Sequence, residues 1–137
     1  MDGYYIGSGD IIFTAWDMAR FGQLYLDEGN YNGKQIISAG WVRDSLETYS
    51  VNEFEVTSVG KFRNMGYGYM WWSADIGDHR VNFTWGHGGQ LIVLEESLDL
   101  VVVTTADPFY DPDAHQNAWS DEKAVLETVS KFIFYCH

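Results

Sequence analysis

The chain has 137 residues, 46% hydrophobic and 17% aromatic, a composition that fits one folded domain and excludes a disordered chain. Twenty acidic residues against eight basic ones give a net charge of −12, which repels nucleic acid and anionic lipid, so neither is an expected partner. No apolar run reaches the ~20 residues that span a bilayer, and no signal peptide is expected. A single cysteine, Cys136, excludes an internal disulfide and leaves the cellular compartment open.

The first part of the sequence predicts a helix with clear ends. Thr14 is the expected N-cap, with Asp17 in the capping-box position three residues later. Gly29 is expected to end the helix, as glycine commonly does just past the last turn. Four residues at helical spacing predict its buried face: Met18, Phe21, Gly22 and Tyr25.

A turn, a second helix and an aromatic strand are predicted next. The stretch 31–34 contains Asn-Gly, which supplies the positive φ angles of a tight turn. Ser38 is the expected N-cap of a short helix that continues through Leu46. Residues 48–64 lack a periodic pattern and predict a long surface excursion. Residues 66–72 predict an aromatic strand thinned by glycines.

The second half predicts successive strands followed by a helix. Strands are expected at 81–84, 90–94 and 98–105, the last two joined as a hairpin by 95–97. The apolar run 100–103 lacks alternation, which predicts a strand covered on both faces. Ser120 is the expected N-cap of a last helix, whose predicted buried side is Val125, Val129 and Phe132. The sequence therefore predicts one α+β domain over residues 1–137, an antiparallel sheet packed with helices.

The stretch Trp85–Gln90 places three glycines and one histidine between two predicted strands. Glycine tolerates positive φ angles and lets a ligand approach the main chain closely. A sheet edge bared in this way, with an imidazole beside it, could bind a polar group. The alternative interpretation is a glycine-softened turn that carries a surface histidine.

Five segments in series are similar to segments of the β-lactamase-related serine hydrolases, a group that includes class C β-lactamases, D-alanyl-D-alanine carboxypeptidases and family VIII esterases. They follow the order of that family and cover most of residues 7 to 106: GDIIFTAWDMARFG at 9–22, YNGKQIIS at 31–38, GYGYMWW at 66–72, GHGG at 86–89 and LDLVVV at 98–103. The resemblance implies a partial β-lactamase/transpeptidase-like fold. It also implies acyl transfer from an ester, amide or lactam to water.

The resemblance implies a site around His87-Gly88-Gly89, the position of the family's Lys-Thr-Gly motif or its His-containing variants. The basic residue of that motif helps to position the carboxylate or carbonyl of the substrate. The main-chain N–H of Gln90 would form half of the oxyanion hole, where one preorganised donor is worth roughly 3–4 kcal/mol. Trp85, Tyr69 and Gly9 are the expected substrate-binding residues. The short glycine link and His87 favour an esterase or peptidase over a β-lactamase, with no cofactor and no metal.

The sequence departs from this family in having no recognisable nucleophile. The family's Ser-x-x-Lys motif precedes the segments found here, a Tyr-x-Asn motif lies between them, and this chain begins after both. Two Ser-x-x-Lys strings occur, at 58–61 and 120–123, but the first is unpatterned and the second follows the histidine motif. The expectation is therefore a C-terminal portion of a serine hydrolase, inactive alone, that forms a homodimer or associates with the missing N-terminal part. The alternative is a non-enzymatic module that binds an acyl or peptide ligand or a partner chain.

Patterns for metal ions are weaker. Four residues alternate like the ligands of a calcium loop, but the glycine needed at the sixth position is missing: Asp111, Asp113, His115 and Asn117. This segment predicts an acidic, solvated loop. His79 and His137 have no partner at zinc spacing, and nothing near Cys136 predicts an activated thiol.

Overall fold

The structure, a computed structural model, describes residues 11–51, 59–107 and 114–136, and only the backbone of 114–118. This part of the chain contains three helices: α1 Ala15–Leu26, α2 Ala39–Leu46 and α3 Ala114–Phe134. Its eight strands are β1 Asn30–Tyr31, β2 Lys34–Gln35, β3 Ser50–Val51, β4 Arg63–Tyr67, β5 Trp72–Ile76, β6 His79–Gly86, β7 Gln90–Glu95 and β8 Leu100–Thr104. The mixed helix and antiparallel sheet content agrees with the predicted α+β class.

Six of the strands form one antiparallel sheet in which β3 to β8 follow each other in chain order. The β6–β7 pair lies well inside it and is in register from Val81 opposite Glu95 to Gly86 opposite Gln90. The strands β1 and β2 form a separate hairpin. Its Asn-Gly turn has positive φ at both central residues, 51° and 79°, so the predicted tight turn is confirmed.

Two hydrophobic cores lie on opposite faces of this sheet because successive side chains of a strand point to opposite sides. One core lies under α3: Val59, Phe62, Met65, Ala74, Ile76, Val81, Phe83, Leu91, Val93, Leu126, Val129 and Ile133. The other lies under α1 and α2: Met18, Tyr25, Val42, Trp71, Ile92 and Leu94. In β8, Leu100 and Val102 pack against the first core, and Val101 and Val103 against the second. The prediction that this strand is covered on both faces is confirmed.

The predicted ends of the first two helices are confirmed. The Thr14 hydroxyl accepts a hydrogen bond from the main-chain N–H of Asp17 at 3.2 Å. Gly29 has a φ of 82° and donates its N–H to the Leu24 carbonyl at 2.7 Å, which closes the end of α1. The Ser38 hydroxyl caps α2 through the N–H of Trp41. The predicted buried face of α1 is confirmed except at its margin, where Phe21 is exposed.

Two predictions for residues 48–72 were wrong in the described part. Val59 and Phe62 are buried in the core under α3, so the segment is not a surface excursion there; residues 52–58 lie outside the described residues. The aromatic stretch 66–72 is not one strand, because β4 ends at Tyr67 and β5 begins at Trp72. Aromatic residues also occupy the turn between the two strands. The β-propensity of the stretch therefore gave no sign that one strand ends and another begins there.

The last helix also begins earlier than predicted. Since α3 starts at Ala114, Ser120 lies inside the helix and is not its N-cap. Its buried line is Leu126, Val129 and Ile133, whereas Phe132 is 55% exposed, so the predicted side was wrong at that residue. No helix in the described part of the chain is long and apolar enough to cross a membrane.

Gly22 sets the distance between α1 and the sheet. A Cβ atom at this position would lie 2.6 Å from Val101 Cγ1 and 3.0 Å from Ile92 Cγ2. We expect Gly22→Val to lower the free energy of unfolding by about 1–3 kcal/mol, because the added methyl groups overpack this contact. Gly40→Val is the matched control, since a Cβ on Gly40 of α2 meets no atom within 4 Å. Urea denaturation measures both, and equal losses would contradict this account.

Candidate functional site

The residues His87-Gly88-Gly89 form the turn between β6 and β7, beyond the last paired residues Gly86 and Gln90. Gly88 and Gly89 have φ angles of 81° and 96°, which side chains rarely tolerate. The N–H of Gly89 donates to the Gly86 carbonyl at 3.2 Å, and the Thr104 hydroxyl donates to the Gly89 carbonyl at 2.6 Å. The predicted site is therefore a tight turn that is bonded to the neighbouring strand β8.

The turn is also bound to α3 through Glu122. The carboxylate accepts from the main-chain N–H of Gly88 at 2.8 Å through Oε1 and from the indole Nε1 of Trp85 at 3.0 Å through Oε2. The Nδ1 atom of His87 lies 3.1 Å from the same Oε1. The Glu122 side chain is only 11% exposed, whereas that of His87 is 52% exposed. A buried carboxylate thus holds the turn while the imidazole reaches solvent.

Glu122 is absent from the residues that the sequence pointed to. It lies inside the Ser-x-x-Lys string 120–123, a pattern in which only the serine and the lysine are candidate catalytic residues. A signal was present in the helical spacing, since Glu122 lies four residues before Leu126 and so falls on the buried line of α3. An acidic residue in line with a buried face needs donors, because an unpaired carboxylate is costly to bury.

The predicted substrate-binding residues are placed apart. Trp85 is half-buried beneath α3, with its ring 5.7 Å from those of both Trp72 and Trp119. Tyr69 belongs to another aromatic cluster, formed with Trp41 at 5.5 Å and Tyr49 at 4.9 Å. Desolvation, and then the neighbouring phenol of Tyr69, raise the pKa of Tyr49 above its ordinary value. Gly9 lies outside the described residues.

The main-chain donors of the glycine turn are partly engaged. The N–H of Gly88 is bound by Glu122 and that of Gly89 by the Gly86 carbonyl. Neither N–H is therefore available to donate to a substrate oxyanion together with the N–H of Gln90, to which the resemblance assigns that role. The amide side chain of Gln90 lies back over the turn, with Nε2 3.4 Å from the His87 carbonyl.

The two Ser-x-x-Lys strings do not gain a catalytic setting from the described structure. Ser58 lies outside the described residues, and the Lys61 ammonium sits over the Phe134 ring at 4.4 Å. Ser120 is exposed on α3 and lies two residues from Glu122, which is roughly 200° around the helix at 3.6 residues per turn. Its side chain therefore points away from the turn that Glu122 holds.

No group of three metal-ligating side chains occurs among the described residues. Asp111, Asp113 and His137 lie outside them, and the side chains of His115 and Asn117 are not described. His79 pairs instead with Glu95, with Nδ1 at 3.2 Å from Oε1. A cleft of about 530 Å³ lies at the opposite end of the sheet from the glycine turn, and Arg43, Arg80 and Glu96 are among the residues that line it.

Comparison with known proteins supports a relation to the β-lactamase-like serine hydrolases, and so a hydrolase-like origin. A 6-aminohexanoate-dimer hydrolase from Paenarthrobacter ureafaciens is 32% identical over 115 residues, which cover 81% of this chain and 28% of that protein. A solved structure named "Putative 6-aminohexanoate-dimer hydrolase from Bacillus anthracis" is 28% identical, with a TM-score of 0.48, and the match covers 84% of this chain and 29% of that one. The chain thus spans less than a third of the length of these relatives. No protein-family model matches it.

Gly89 packs closely under α3, since a Cβ atom there would lie 2.9 Å from Val125 Cγ2. We expect Gly89→Ala to cost about 1–2 kcal/mol for the left-handed backbone and a further 1–3 kcal/mol for overpacking against α3. Gly33→Ala separates these two contributions, because Gly33 has a φ of 79° and nothing within 4 Å of its Cβ position. Thermal denaturation of both variants checks this. A loss at Gly89 no larger than that at Gly33 would show that the helix contact is unimportant.

Proposed function

We propose that this chain is a C-terminal portion of a serine hydrolase of the β-lactamase-like type and contributes His87-Gly88-Gly89 to its site. The observation that carries the proposal is the glycine turn tied to Glu122, which fixes the backbone while the imidazole stays half exposed. The 32% identity to a hydrolase over 115 residues supports the same class of reaction.

In this proposal the reaction is acyl transfer from an ester, amide or lactam to water. A serine oxygen from a segment outside this chain bonds to the carbonyl carbon while a base, also outside this chain, takes the serine proton. The electron pair of the C=O bond moves to the carbonyl oxygen. The main-chain N–H of Gln90 donates to that oxyanion, and His87 positions the substrate's carboxylate or carbonyl. When the carbonyl re-forms, the C–N or C–O bond breaks and the departing nitrogen or oxygen takes the proton from that base; in a lactam the nitrogen stays tethered to the acyl group. Water then hydrolyses the acyl-serine bond.

Of the three substrate classes, ester, amide and lactam, an amide is the first to test. The name of the Paenarthrobacter relative designates hydrolysis of a 6-aminohexanoate dimer. We extend that class to this chain, in line with the esterase or peptidase activity that the short glycine link favours. The activity requires the remainder of a longer enzyme, and the isolated chain is inactive.

A non-enzymatic binding module is the second candidate. The cluster of Trp41, Tyr49 and Tyr69 favours it, because three stacked rings remain about half exposed at the surface. A contiguous exposed aromatic patch usually marks an interaction site. In this case the chain would bind an acyl or peptide ligand or a partner chain without chemistry.

His87 provides the main test. In a complete enzyme that carries this chain, we expect His87→Ala to lower kcat/KM for a chromogenic ester or a 6-aminohexanoate dimer at least about tenfold, with the melting temperature changed by only a few degrees. The reason is that a half-exposed side chain on a glycine turn contributes more to the site than to packing. A variant that unfolds while its activity per folded molecule stays unchanged would make His87 structural.

The isolated chain is the control. It should release no burst of product from an activated ester or a chromogenic cephalosporin, because no nucleophile is expected in it. A burst that matches the protein concentration and disappears in Ser58→Ala or Ser120→Ala would overturn the proposal. A reading frame that encodes Ser-x-x-Lys upstream of this chain would support it.

We also expect the isolated chain to self-associate. Large apolar side chains are exposed in the segment before α1 and in its first turn: Ile11, Ile12, Phe13 and Trp16. Burial at ~25 cal/mol per Å² favours covering such surface, and a net charge of −12 opposes it only through repulsion screened within about 8 Å. Size-exclusion chromatography with light scattering at micromolar concentration should give a dimer. A compact monomer would favour the binding module instead.

A further inference from the structure

Three aromatic side chains form an exposed cluster where α2 meets the turn between β4 and β5. The ring of Tyr69 stacks with that of Trp41 at 5.5 Å between centroids and 13° between planes, and with that of Tyr49 at 4.9 Å and 21°. We call these three residues the aromatic cluster. Trp41 is 51% exposed, Tyr49 58% and Tyr69 50%. Stacking among the rings therefore leaves a contiguous apolar surface in water, which is typical of an interaction site.

The backbone around the aromatic cluster is fixed by contacts between distant segments. The N–H of Tyr49 donates to the carbonyl of Tyr67 at 3.1 Å, and the N–H of Gly68 donates to the carbonyl of Trp71 at 2.8 Å. Gly68 also lies directly against the main chain of Glu47, because a Cβ atom on this glycine would clash with the Glu47 carbonyl oxygen. The rings are thus presented on a preorganised backbone, which lowers the entropy that is lost when a partner binds.

Two carboxylates accompany the aromatic cluster at the C-terminal end of α2. Asp44 is exposed and follows Trp41 by three residues, which places the two side chains on the same side of the helix. Glu47 is exposed at the C-cap position. Desolvation and then Tyr69 raise the pKa of Tyr49, and the charges of Asp44 and Glu47 raise it further. The two negative charges therefore act on the aromatic cluster itself.

The end of a helix disfavours carboxylates, because its free carbonyl groups carry partial negative charge and favour cations. Arg43 is the basic residue in the last turn of α2, but it lies 3.8 Å from Glu28 and lines the cleft at the end of the sheet. Arg43 follows Trp41 by two residues, which is roughly 200° around the helix. A bound cation beside the aromatic cluster would offset the charges of Asp44 and Glu47 where Arg43 does not.

We propose that the aromatic cluster, together with Asp44 and Glu47, is a docking surface for a basic peptide segment of a partner protein. An arginine of that segment lies on the exposed rings. A guanidinium group stacks on aromatic faces and also pairs with carboxylates, and this surface offers both groups side by side. The net charge of −12 attracts a basic segment over a longer range.

The surface extends beyond the area that one guanidinium covers. Met70 follows Tyr69 and is 63% exposed, and Val51, in the outer strand β3, is 71% exposed. Apolar residues beside the arginine of a peptide can cover these side chains, and an outer strand offers main-chain groups to an extended peptide. This favours a peptide over a small cation. The inference goes beyond the hydrolase proposal, because it does not involve the glycine turn.

The first experiment titrates the full chain with a blocked pentapeptide that carries arginine at its centre and leucine on both sides. Proton–nitrogen correlation spectra at about 10 mM salt, where charges are weakly screened, should show saturable shifts of the Trp41 indole N–H and of the Tyr49 and Tyr69 amides. The same peptide with citrulline, which keeps the shape of arginine without its charge, should bind more weakly. Arginine amide should also bind more weakly than the peptide.

Variants then separate the rings from the charges. Trp41→Ala should weaken peptide binding about two- to fivefold, the loss expected for one cation–π contact at an exposed site. Trp16→Ala is the matched control, since Trp16 is 77% exposed on α1 and lies outside the aromatic cluster. Trp41→Leu keeps apolar volume in case Trp41→Ala lowers the melting temperature, and it should weaken binding as well.

The charge variant is Asp44→Asn with Glu47→Gln, which should weaken binding at least about twofold. Its control is Glu96→Gln with Asp121→Asn, which removes the same number of charges from exposed residues elsewhere. This control should have the smaller effect. Equal losses in the two double variants would show attraction by net charge alone and overturn the docking surface.

The remaining outcomes are equally decisive. Shifts confined to other residues, unchanged affinity in the Trp41 variants, or an equal loss in Trp16→Ala would overturn the proposal. Equal affinity for the citrulline peptide would exclude the role of charge, and equal affinity for arginine amide would indicate a site for small cations. Saturable binding of the neutral sugar cellotetraose in place of the arginine peptide would assign the rings to a carbohydrate. None of these results changes the test of His87, so the hydrolase proposal stands or fails separately.

Discussion

Two-sided burial of the β6–β7 pair is the constraint on which the other parts of the structure depend. Since successive side chains of a strand face opposite sides, β7 alone supplies Leu91 and Val93 to one core and Ile92 and Leu94 to the other. A shift of one residue in register would exchange the two cores, so the pairing is strongly specified. Glycines allow close approach of the helices that cover these cores: Gly22 of α1 lies against β7 and β8, and Gly89 of the β6–β7 turn lies against α3.

Buried carboxylates fix the turns at both ends of this pair. An ionised group loses several kcal/mol when it leaves water unless donors replace the solvent. Each of these two glutamates accepts from one main-chain N–H and has a histidine nitrogen within 3.2 Å. The acidic excess of the chain is thus not all surface charge. The two imidazoles differ in exposure, since the His79 side chain is 16% exposed beside Glu95 and that of His87 is 52% exposed beside Glu122.

The glycine turn that the family resemblance singles out lies at one end of the sheet, between β6 and β7. The cleft of about 530 Å³ lies at the other end and contains none of the residues that the resemblance implies for the site. The activity that we propose therefore depends on the turn, on α3 and on groups supplied from outside this chain.

Much of this molecule was determined by the sequence alone, where the physical cause is local. Thr14 and Ser38 cap their helices through atoms three residues away, and Asn32-Gly33 turns the chain through its own φ angles. The strands β6 to β8 follow from the pattern of apolar and β-branched residues along the sequence. The glycine turn follows from the positive φ angles that glycine tolerates. The tertiary structure alone decided the break between β4 and β5, the start of α3 and the contact of Glu122 with the turn. These depend on packing between segments tens of residues apart, and a local pattern carries no information about which donor a distant carboxylate will meet.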